Sequence, residues 1–206
     1  MKRKGKRNNL YQSVGYLVGI TNKTIFEFQL KKYMNKFIKI ENKNIDIEKR
    51  DVVFAQYKRF FGELPEHLEL LGNVDPEILS DFLKYNMKLM RNKKFHVDFF
   101  TLLRIHIAIA ENYSYCLEFN TKILLQKGYT KESIATFSNT QNLPLPSEQK
   151  ILAEKAKKAI FDSVAFNKND LEELYQLGWD IGEVYDAIEH IGIFEKNSRF
   201  IRAFMV

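Results

Sequence analysis

Apolar residues recur at every third or fourth position along most of this chain, and no stretch alternates as a half-buried strand would, so the pattern predicts an all-α fold. Phe26, Leu30, Tyr33 and Phe37, with Met34 and Ile38, place a first amphipathic helix from about Lys23 to Ile40, and ENKNID follows as a connector. A second helix runs from about Ile47 to Phe61, with Val53, Tyr57, Phe60 and Phe61 near one face and Gly62 as its C-terminal cap. A short helix spans Pro65 to Leu71, opened by the proline and closed by Gly72. Asp75-Pro76-Glu77 combines a capping acid, a first-turn proline and a first-turn acid, and opens a helix to about Arg91.

Asp98 caps the next helix, whose Leu102–Ala110 segment is almost wholly apolar, and a further helix begins near Tyr113 and ends at Gly128. Thr130 caps a short helix through Phe137, and SNTQNLPLP is a loop placed to divide the chain into two halves. Ser147 caps a helix from Glu148 to about Phe166, Asn167 or Asn169 one ending at Gly178, and Asp180 a long last helix to about Ala203. Gly128-Tyr129-Thr130 and Gly178-Trp179-Asp180 are alike: each joins a helix-ending glycine, an aromatic and a capping residue.

Charge changes this picture little. The formal charge is +6, but Lys2, Arg3, Lys4, Lys6 and Arg7 supply five of those charges and leave +1 for the rest. Residues 1–9 form a basic tail on a near-neutral body, which is weak support for nucleic-acid binding. With 45% hydrophobic residues in 206, the chain can bury a substantial core. No run of about eighteen apolar residues points to a membrane span. The single cysteine excludes an internal disulfide and any cysteine-rich zinc site, and makes a reducing cytoplasm the simplest home. His67, His96 and His190 are too far apart in the chain to suggest a metal site, and no phosphate-binding glycine loop is present, so no cofactor is expected.

The single cysteine is therefore the residue to explain. Cys116 falls in the first turn of the helix after Tyr113, where unpaired backbone N–H groups and the positive dipole end favour a thiolate. On the preceding helix, Arg104 and His106 interrupt an apolar surface and Glu111 stands at the inter-helix corner. Each is a candidate acid, base or anion-binding group, and each is equally at home in a structural role.

FFGELPEHLELLGNVDPEILSDFL, an apolar helix, Tyr113-x-x-Cys116-x-x-x-Asn120 and a helix ending Lys127-Gly128-Tyr129 together resemble the alkylhydroperoxidase AhpD-like, carboxymuconolactone decarboxylase-type family. The resemblance runs from roughly Gln56 to the C-terminus. It implies an AhpD-like helical domain over 56–206, with residues 10–55 as a helical extension and 1–9 as a tail. Peroxidase members carry Cys-x-x-Cys-x-x-x-His, with a glutamate twelve residues before the first cysteine. The resemblance puts the attacking sulfur at Cys116, the resolving position at Tyr113, the histidine position at Asn120 and the glutamate position at Thr101. The family's other chemistry, decarboxylation of a muconolactone-type acid, would call on Arg104, His106 or Glu111.

Peroxide cleavage needs a thiolate, a proton for the leaving oxygen and a second thiol to reduce the sulfenic acid. Without Tyr113 and Asn120 being a cysteine and a histidine, an internal-disulfide route is closed and neither residue titrates near neutral pH. Loss of one acid-base group typically costs about a hundredfold to ten-thousandfold in rate. Two functions follow: a one-cysteine, peroxidase-like oxidoreductase using Cys116 and an external thiol, or a relative without catalysis that serves in binding or assembly. The family's habit of pairing helix faces implies a homo-oligomer.

Overall fold

The computed structural model describes residues 37–40 and 42–205. The basic tail and the helix expected from Lys23 onward lie outside the described residues up to position 36, as do the side chains of Phe60 and Phe61. Positions 37–40 are extended where a last helical turn was expected: Phe37 bridges Met205, and Ile38 donates to the Phe204 carbonyl at 2.9 Å.

Nine α-helices make up the described residues: α1 Ile47–Phe61, α2 Glu66–Val74, α3 Pro76–Arg91, α4 Phe99–Ala110, α5 Ser114–Gln126, α6 Lys131–Ala135, α7 Ser147–Phe161, α8 Lys168–Gln176 and α9 Ile181–Ala203. The chain is all-α, as its periodicity implied. Helix α4 is the axis of the fold, because its sequence is apolar nearly all round and such a helix must be enclosed. Phe99, Leu102, Leu103, Ile105, Ile107 and Ala108 have no accessible surface. Each large apolar side chain so enclosed contributes about 1.5–3 kcal/mol. Around it pack α5, α7 and α9, through Cys116, Leu124, Leu152, Ala156, Val184, Ile191 and Ile201. A second cluster, Val53, Tyr57, Leu68, Leu71, Leu79 and Leu83, joins α1, α2 and α3.

One motif ends three helices. After α5, Gly128 takes φ 91°, its N–H bonds the Leu125 carbonyl and the Tyr129 N–H reaches back to Leu124. After α8, Gly178 (φ 88°) and Trp179 repeat this with Tyr175 and Leu174, so the sequence likeness of the two corners is a likeness of backbone. After α4, Asn112 takes φ 55° and Tyr113 bonds back to Ala108. Asparagine tolerates this left-handed position better than other residues with a side chain, and the motif satisfies carbonyls that a helix end leaves open.

Several boundaries differ from expectation. Gly72 lies inside α2: a Cβ there would come 2.2 Å from the Phe54 ring, so its role is close approach of α1 and not helix ending. Asp98 stands at the α4 cap position but makes no cap bond; its carboxylate takes Lys127 and Tyr129, stronger partners for a buried charge. Ser147 is the first residue of α7, with Pro146 at the cap. Helix α7 stops at Phe161, where Asp162 and Ser163 favour a turn over helix. The proline-containing loop contains a 3₁₀ turn, Thr140–Asn142, and its Leu143 and Leu145 belong to the same core as α4 and α9, so it does not divide the domain.

Candidate functional site

The Asn112 corner sets the start of α5 and so sets the cysteine. Ser114 opens the helix, Cys116 is its third residue, and Asn120 follows one turn later on the same face. Across the hairpin, Thr101 and Arg104 share a face of α4. The long helix α9 closes the third side with His190, Glu195 and Ser198.

Arg104 is the hub. Its Nε donates to Asn120 Oδ1 at 2.8 Å, Nη1 to His190 Nε2 at 3.3 Å and Nη2 to Thr101 Oγ1 at 3.1 Å. Asn120 in turn donates to the Cys116 carbonyl at 2.8 Å. Desolvation brings the guanidinium down to about 10, while Cys116, Tyr57 and Tyr85 pull it upward; it remains a cation at neutral pH. All three acceptors are neutral. His190 is held unprotonated, first by burial and then by the Arg104 charge, with the Phe100 backbone pulling the other way. His67 is pushed down to about 3 by the same two causes, and its Nδ1 lies 3.0 Å from the Tyr115 hydroxyl.

Cys116 is 5% exposed, and its Sγ lies 3.3 Å from Ser198 Oγ. Burial pushes the thiol up, against downward pulls from the Ser198 hydrogen bond and the Arg104 charge, and Glu195 adds to the rise. The helix start was expected to favour a thiolate. Burial outweighs it, because a thiolate enclosed by protein loses more hydration than one helix end returns.

One turn before Ser198 on α9, Glu195 Oε1 accepts from the Tyr113 hydroxyl at 2.7 Å and from Arg199 at 2.5 Å. Among the described residues its Oε2 is buried without a hydrogen-bond partner. Tyr113 is pushed up to about 12 by burial and by Glu195. A carboxylate thus stands near the cysteine, although it comes from the last helix and not from the position the resemblance indicated.

Thr101, Asn120 and Cys116 are gathered around Arg104, and Tyr113 joins through Glu195. Glu111 and His106 are not brought in. Glu111 ends α4 at the corner and is not among the groups that act on the thiol. His106 faces away: Nδ1 meets the Phe137 carbonyl at 2.9 Å, and Nε2 takes Thr140 and Lys157 at 3.4 and 3.3 Å. The sequence reading missed His190, Glu195 and Ser198. Their signal was the buried period of α9, where His190, Ile191, Phe194, Ser198 and Ile201 recur at helical spacing with Glu195 beside them.

Among the described residues no helix is long and apolar enough to cross a membrane. No family model and no curated protein matches the sequence. Solved structures share the fold, two of them as follows. One is an uncharacterized peroxidase-related protein from Silicibacter sp. TM1040, with TM-score 0.63 and 19% identity over 76% of this chain and 83% of that one. The other is an alkylhydroperoxidase AhpD core, an uncharacterized peroxidase-related protein from Ralstonia eutropha JMP134, with TM-score 0.64 and 18% identity over 83% of this chain and 90% of that one. The chain therefore has the AhpD-core fold.

Proposed function

We propose that this protein is an AhpD-like, one-cysteine thiol oxidoreductase that reduces a hydroperoxide at Cys116. The observation that carries the reading is the setting of the sulfur, with the Ser198 hydroxyl on it and the Arg104 cation acting on its charge. The fold likeness to peroxidase-related proteins supports it. The thiol gives its proton to Glu195, and the thiolate, favoured by Arg104, attacks the peroxide oxygen. The S–O bond forms as the O–O bond breaks, and the departing alkoxide takes the proton back from Glu195 as alcohol. Cys116 is left as a sulfenic acid. One external thiol condenses with it to a mixed disulfide and releases water, and a second returns Cys116 to the thiol. Tyr113 positions Glu195 in this scheme, and Asn120 with Thr101 orients Arg104.

After peroxide exposure, mass spectrometry with a sulfenic-acid trap is expected to label Cys116, and peroxide consumption with dithiothreitol to vanish in Cys116→Ala. Consumption equal to that of the Cys116→Ala variant would overturn the reading. The rise that burial imposes on the thiol favours a second reading, in which the chain has lost catalysis and binds a ligand or assembles; an unlabelled Cys116 would support it. We further propose a cytoplasmic homo-oligomer, which light scattering would refute by giving a monomer of 24.4 kDa.

A further inference from the structure

The fold has two apolar cores. Helices α4, α5, α7 and α9 share one, and α1, α2 and α3 enclose the other with Val53, Tyr57, Leu68, Leu71, Leu79 and Leu83. A layer with its own apolar core can stay folded when it parts from its neighbour. The chain enters this layer between Ile38, bonded to the Phe204 carbonyl, and Asn42, whose side chain bonds the Val74 carbonyl of α2. It leaves between the end of α3 at Arg91 and Phe95, which stacks on Phe99 in the α4 core. The layer is thus one consecutive stretch of chain held at its two ends.

Where this layer meets the bundle, the seam is polar. Tyr85 of α3 stacks on His190, its hydroxyl donates to the Asp186 carbonyl at 3.4 Å, and Lys88 pairs with the Asp186 carboxylate at 2.6 Å. His67 of α2 meets the Tyr115 hydroxyl at 3.0 Å and sets its ring edge to face with Phe119. The Arg104 charge acts on Tyr57, His67 and Tyr85, one from each helix of the layer. Parting an apolar core exposes surface to water at a cost, whereas tyrosine, histidine, carboxylate and guanidinium regain hydration as a seam opens. Opening the fold along this seam therefore costs least. The sulfur lies beside it: Tyr115 precedes Cys116 in the chain, and Phe200, packed against the core of the layer, follows two residues after Ser198, which touches Sγ. With 5% of Cys116 exposed, a dissolved reagent meets the sulfur only when something moves.

We propose that α1–α3 form a lid that lifts as a unit from α5 and α9 and opens the way to Cys116. The lid is a property of the fold; that its opening admits a hydroperoxide and the reducing thiol rests on the peroxidase reading. The test is iodoacetamide labelling of Cys116 in the full chain at urea concentrations too low to unfold it, beside amide hydrogen exchange. The free energy of the opening that permits labelling is expected to fall with urea at less than about half the slope of global unfolding, because that slope follows the surface exposed. Amides of α1–α3 are expected to exchange as a group with the same shallow slope, ahead of those of α4. Ile134→Val, on α6 in the α4 core, should lower the urea midpoint and leave the labelling rate as it is, whereas Lys88→Gln should raise that rate about two- to fivefold. Labelling without urea dependence, labelling with the global slope, or α1–α3 amides as slow as those of α4 would each overturn the lid. Labelling and exchange of the expected form in a chain that consumes no peroxide remove the peroxidase reading and keep the lid.

Discussion

Arg104 and His106 lie two residues apart on α4, about 200° around the helix, and both interrupt the same apolar surface. The helix turns them to opposite fates. His106, 2% exposed, is enclosed by the turn after α6 and by α7, with a carbonyl for its N–H and a hydroxyl and an ammonium for its other nitrogen. It is a satisfied clamp between segments distant in sequence. Arg104 gathers side chains from α4, α5 and α9, every one neutral, and its charge acts on the Cys116 thiol. Polarity within an apolar helix is thus no guide to role; what separates the two is which groups each one meets, loop and α7 for His106, the cysteine face for Arg104.

The largest expected effect lies on the Arg104 side. Arg104→Gln should lower peroxide turnover about a hundredfold, the usual scale for one preorganised electrostatic contact at a reacting atom. The same substitution should move the alkylation profile of Cys116 to higher pH, because the guanidinium favours the thiolate. If His106→Ala cost as much turnover, the contrast between the two faces would be broken.

Smaller in energy is the effect on the His106 side. His106→Ala should cost about 2 kcal/mol in urea unfolding, since it leaves the Phe137 carbonyl and Thr140 hydroxyl without their partner, with turnover per folded molecule unchanged. Burial first, and then Lys157, holds His106 below its ordinary value. A histidine depressed in the folded state takes up protons more readily when unfolded. Its contribution is therefore present above about pH 6.5 and lost as pH falls toward the folded value, at up to about 1.4 kcal/mol per pH unit. His106→Ala should flatten that acid slope; an unchanged slope would mean that His67 and His190, depressed in the same direction, account for it.

Much of the fold was legible because its signals are local. Capping at Asp75, Thr130, Asn167 and Asp180 uses side chains that reach a backbone N–H within three residues. Gly72 was misread because glycine serves both helix ends and close packing, and only the Phe54 ring decides between them. Asp98 was misread as a cap because Lys127 and Tyr129, its actual partners, lie about thirty residues away in the chain.

The sequence by itself determined the helices, the enclosure of α4 and the place of Cys116 near the start of α5, since each depends on spacing within a few residues. Only the tertiary structure decided that Thr101 and Asn120 meet at Arg104 close enough for its charge to act on Cys116, and that Ser198 of α9 reaches the sulfur across 82 residues of chain while Glu195, 79 residues away, acts on it by charge. It also decided the state of the thiol. Charge and hydrogen bonding act through space, and the desolvation that opposes a thiolate at Cys116 is set by what packs around the sulfur, whatever its position along the helix.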